Sequence, residues 1–103
     1  MNVQEFAKYV ITNMHRATLS NALNISTKLD TEGFYKFNEF LEELYKYVVT
    51  CLSDNRIESN KCYRILSLAN ETLEKYNSTF NYNKIYLIDD FLIKLWTILD
   101  KGV

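Results

Sequence analysis

Phe34, Phe37, Leu41, Leu44, Val48 and Cys51 recur at alternating steps of three and four along the segment FYKFNEFLEELYKYVVTCL, residues 34–52. Such spacing keeps side chains on one face of a helix and cannot serve the two-residue period of a strand. Phe40, Tyr45, Tyr47 and Leu52 flank the seam and widen it to the stripe of a helix that packs on two or more neighbours. The segment therefore predicts a central helix, and the rest of the chain must supply its partners.

Three further stripes do so. Val3, Ala7, Val10, Met14 and Ala17, with Phe6 and Ile11 beside them, predict a first helix from about residue 3 to residue 21, with Glu5 placed to suit the positive end of its dipole. Residues 21–33 are richer in Asn, Ser, Thr and Asp, which compete with helix by bonding nearby backbone. They read as a connection with one extra turn around Ile25 and Leu29, and Asp30 or Thr31 is the expected cap of the central helix. Ser53-Asp54-Asn55 ends that helix. Ser59 is the expected cap of a third helix over 59–76, with Ile57 packing back on it and Cys62, Leu66, Ala69, Leu73 and Tyr76 as its seam. Residues 77–83 read as a loop whose Phe80 and Tyr82 tuck into one end of the bundle. A fourth helix over 84–101 has Ile85, Ile88, Leu92, Leu95 and Leu99 as its seam and Gly102 as its expected C-cap. This last helix is apolar almost all round, so it is either enclosed or turned in part toward a partner.

Absence of proline and the presence of only two glycines in 103 residues leave few places for tight reversal, which argues against a sandwich or barrel. The expected fold is all-α: one single-domain, compact, antiparallel four-helix bundle. Twelve basic against thirteen acidic residues remove the strongest electrostatic case for nucleic acid or an anionic membrane. The fourth helix is too short and too charged for a membrane span. Glu5 precedes any basic residue and no long apolar run follows, so the start does not read as a secretory signal, and a cytoplasmic location is expected.

Catalytic and metal chemistry find little support. His15 is the single histidine, and neither a nucleophile–base pair nor a zinc set can be drawn from it. Two distant glycines cannot form a phosphate loop, and residues 54–58 lack the glycine and alternating oxygen ligands of a calcium loop. No enzyme, cofactor or metal is expected. Cys51 and Cys62 fall at the same end of an antiparallel helix pair, where they are either two small buried hydrophobes or a disulfide.

What remains is function by contact. Glu39, Glu42 and Glu43 lie opposite the central seam, with Lys46 set to pair with Glu42 at i, i+4, and Tyr35 stands near them as an aromatic anchor of the kind interfaces favour. These residues predict a small protein-binding module acting stoichiometrically, an inhibitor of the immunity or antitoxin kind whose acidic face meets a basic, toxin-like partner. Such proteins share this size and bundle class, which is an analogy of class. The alternative is a homo-oligomeric structural or scaffolding protein, a homodimer in the simplest case, associating through Tyr86, Leu87 and Ile93 of the fourth helix.

Overall fold

The structure, a computed structural model, describes residues 2–14, 16–29, 35–78 and 83–101. Five α-helices follow in order: α1 (Val3–Met14), α2 (Leu19–Asn24), α3 (Phe37–Ser53), α4 (Ser59–Tyr76) and α5 (Lys84–Lys101), with a 3-10 turn (Ile25–Lys28) after α2. The domain is all-α and single, with a radius of gyration of 12.8 Å, as expected for a chain of about 100 residues. His15, Asp30, Thr31, Phe34, the loop aromatics Phe80 and Tyr82, and Gly102 lie outside the described residues; the cap of the central helix, expected at Asp30 or Thr31, is Lys36, extended at φ −75° and ψ 133° without a side-chain bond, so that helix starts at Phe37 and not at residue 34.

Helix α1 opens with a capping box. Glu5 N donates to Asn2 Oδ1 at 2.8 Å and Asn2 N donates back to Glu5 Oε1 at 3.4 Å, so each residue's side-chain oxygen satisfies the other's backbone amide. The helix ends at Met14, seven residues before the expected limit near residue 21. Thr18 is extended (φ −77°, ψ 163°) and its Oγ1 accepts from Asn21 N at 3.1 Å, which starts α2 as a new helix. Trp96 of α5 donates Nε1–H to Ala17 O at 2.8 Å and pins this corner. The connection after the first helix is thus helical over residues 19–28. Its described part reaches Leu29, fully buried and bridged to Tyr35, whose N–H donates to Lys28 O at 3.2 Å.

Helix α3 confirms its seam: Phe37, Phe40, Leu41, Leu44, Val48 and Cys51 are all buried, and the helix packs between α1 and α4. Its C-terminus is a Schellman turn made without glycine. Asn55 takes the left-handed conformation (φ 57°), Arg56 N donates to Cys51 O at 2.9 Å and Asn55 N donates to Leu52 O at 3.4 Å. Asparagine tolerates this region better than most residues because its short amide bonds locally. Ser59 is not the cap of α4; Glu58, extended at φ −53° and ψ 136°, holds the cap position without a side-chain bond. The buried face of α4 is Cys62, Ile65, Ala69 and Thr72, rotated from the expected seam so that Leu66, Leu73 and Tyr76 lie at its edge. Asn83 caps α5 by accepting from Tyr86 N at 3.2 Å.

Contacts along the helices fix their directions. Phe6 meets Phe40 at 5.6 Å and Lys8 lies over the Tyr47 ring at 5.7 Å, so α1 and α3 run parallel, α2 and the 3-10 turn having returned the chain between them. Phe37 meets Tyr76 at 5.6 Å and Lys84 lies 4.6 Å over the Tyr76 ring; α3–α4 and α4–α5 are antiparallel. One end of the core is an aromatic cluster in which Phe91 stands edge-on to Phe37 and Phe40 at 5.8 and 6.3 Å. Helix α5 buries Leu87, Ile88, Phe91, Leu92, Leu95, Ile98 and Leu99, much of its wide apolar surface being taken up by α2 and the 3-10 turn. Ile85, expected in the seam, is 66% exposed because it lies more than a turn ahead of that aromatic layer.

Candidate protein-contact face

Glu39 and Glu42 are exposed on the outer face of α3, and Glu43 is half-buried toward α1. Lys46 pairs with Glu43 (Nζ–Oε1 3.3 Å) rather than with Glu42. Glu42 stands at the rim of a shallow groove between α3 and α4. The groove, about 250 Å³, is lined by Glu42, Tyr45 and Lys46 from α3 and Ala69, Asn70 and Leu73 from α4. Val49 follows Tyr45 by one helical turn and Tyr63 precedes Asn70 by two, which puts both on the groove side of their helices. Both are exposed, Tyr63 at 60%. A floor of apolar and aromatic atoms with a charged rim is the layout of a protein interface.

Tyr35 takes another role. Its ring stacks on Phe6 at 4.5 Å and 14° and is partly buried against the core, so it serves the α1–α3 packing instead of standing beside the glutamates as an anchor. Tyr63 and Val49 are not among the contact residues expected from the sequence. Their signal was present: both are large apolar residues that fall off the seams of two helices joined by a short turn.

A second cleft, about 450 Å³, lies where Ile11 and Thr12 of α1, Cys51 of α3 and Leu99 of α5 meet Glu58 and Lys61 at the start of α4. Parallel α1, α3 and α5 bring three helix C-termini together here, and neither α1 nor α3 has a basic residue in its own last turn. Lys61 donates from Nζ to Leu99 O at 3.4 Å, and Arg56, bound to Asp54 at 3.2 Å, also lines the cleft. These cations offset the negative ends of the dipoles. Cys51 and Cys62 are free and buried beside it; burial, and then the neighbouring Cys51, push the Cys62 thiol above its ordinary value.

On α5, Tyr86 is 68% exposed and Ile93, seven residues on, shares its outward stripe, whereas Leu87 is 6% exposed and belongs to the interior. Asp90 lies between them and holds Lys94 at 2.9 Å. Among the described residues no group of three or more His, Cys, Asp or Glu could hold a metal ion, and no helix is long and apolar enough to cross a membrane. Comparison with protein-family models, with curated proteins and with solved structures found no match.

Proposed function

We propose that the chain is a small protein-binding module that acts by stoichiometric contact through its α3–α4 face, as an inhibitor of the immunity or antitoxin kind. The observation that carries this reading is the apolar α3–α4 groove, with Tyr45 and Leu73 in its lining and Glu42 at its rim with Glu39 a turn away; Val49 and Tyr63, exposed, fall on the same side of their helices by spacing. Apolar anchors supply affinity once desolvated, and acidic rim residues steer a basic partner and speed its association. The matching partner is a protein with a basic surface around one or two projecting apolar side chains, such as a nucleic-acid-cleaving toxin.

Hydrogen exchange on the complex with a partner recovered from the source cell tests the assignment. Slowed exchange confined to α3 and α4 supports it; slowed exchange on α1 or α5 alone refutes it. A second reading, self-association into a homodimer through α5, has its own observation in the exposed pair Tyr86 and Ile93, joined by Ile85 in place of Leu87. Light scattering after size exclusion separates the two, since a monomer at high micromolar concentration rules out the dimer.

A further inference from the structure

We propose that Cys51 and Cys62 form a two-thiol modification site, which small disulfides reach through the cleft at the C-terminal end of α3 and which closes into an intramolecular disulfide. Both thiols are free, and each is tied to the same short connection from opposite sides. Cys51 O accepts from Arg56 N at 2.9 Å, while Cys62 Sγ lies 3.6 Å from Ile57 O and Cys62 N donates to Glu58 O at 3.0 Å. The antiparallel α3 and α4 thereby bring two inward-facing cysteines to one end of the core, across a turn fixed by backbone bonds.

The two sulfurs differ in access. Cys51 lines the open cleft and Cys62 does not, although both side chains are almost fully buried. Cys51 is therefore the point of attack and Cys62 the resolving thiol. The Cys51 thiolate attacks one sulfur of the reagent and expels its first thiolate, leaving a mixed disulfide. The Cys62 thiolate then attacks Cys51 Sγ and expels the second. Two protein thiols give up two protons and two electrons, and one disulfide reagent becomes two thiols. Burial holds Cys62 protonated above the ordinary thiol range, so the second step quickens as pH rises.

Hydroxyethyl disulfide is the probe, added to the folded full chain at pH 7 and pH 9 and followed by intact mass without reductant. The expected end product has lost two hydrogens, yields a Cys51–Cys62 cross-linked peptide, and returns to the dithiol with dithiothreitol; the single adduct on Cys51 persists longer at pH 7. Cys62→Ala should trap that adduct, and Cys51→Ala should leave Cys62 unmodified. Any of three results in the unmutated chain, which needs no variant to fold, overturns the proposal: an adduct on Cys51 that never closes, a disulfide between two chains, or reaction only after urea is added.

Discussion

The chain reverses after α3 and after α1 by different means. The α3–α4 reversal is local: Asn55 in the left-handed region, two Schellman hydrogen bonds and Ile57 packed back on the core complete it within five residues. The α1–α2 corner has a local part, the Thr18 cap, but its other anchor is the indole of Trp96, 79 residues away. A turn of the first kind forms with its own helices, whereas one of the second kind depends on α5 being docked. The difference places the firmest part of the molecule under the α3–α4 face and a more conditional part, α2 with its 3-10 turn, on the other side.

Substitutions can break or sharpen that contrast. Leu44→Ala, in the fully buried α3 seam, should cost the most, about 2–5 kcal/mol in denaturant unfolding, because it removes apolar contacts and leaves a cavity; a loss under half a kcal/mol would mean that α3 is peripheral. Trp96→Phe removes the bond to Ala17 O and should cost about 1–2 kcal/mol. Its amide exchange should accelerate in α2 and the 3-10 turn while α3 and α4 stay protected, and uniform acceleration would erase the distinction between the two reversals. Asn55→Gly should raise stability by about 0.5 kcal/mol, since glycine takes the left-handed conformation without a Cβ. A loss there would show that the asparagine side chain is what completes the turn.

The same end of the molecule has a pH signature. A thiol whose ionisation is disfavoured in the folded state binds its proton to higher pH than in the unfolded chain, so stability falls as pH rises through the ordinary thiol range, above about pH 8.5. The Cys62 thiol is displaced in that direction. Cys62→Ala should flatten the decline, and a decline equally steep in the variant would assign it to other groups.

The long stripes were legible. The helices over 59–76 and 84–101 have the limits that spacing and breakers suggest, and the described seam of α3, from Phe37 to Cys51, is buried at every position, because period and burial agree wherever a helix has one dominant neighbour on each side. The Met14 stop was not legible. Ala17 continues the first stripe, and only the bond from Trp96 shows why the chain turns there. Ile85 misled in the opposite way, having seam spacing but no layer of core to enter. Of the candidate contact residues, Glu39 and Glu42 are where the helical wheel puts them. Tyr35 is not, because its ring stacks on Phe6 against the core, and Leu87 is not, because α5 turns that side inward. Val49 and Tyr63 fall on the α3–α4 side only once two helices are laid side by side, which no single-helix pattern reveals.

Exposed positions should tolerate change in stability and differ sharply in binding. Glu39→Lys, Glu42→Lys and Tyr63→Ala together should alter unfolding free energy by no more than about 0.5 kcal/mol each, as should Tyr86→Ala with Ile93→Ala on α5. Quantified recovery of a partner protein from the source cell, with the unmutated chain and these two variants compared at equal concentration, tests the proposed contact face most directly. The expected result is a one-to-one complex with the unmutated chain, retained by the α5 variant and lost by the α3–α4 variant. A complex that survives in the α3–α4 variant and disappears in the α5 variant would contradict it.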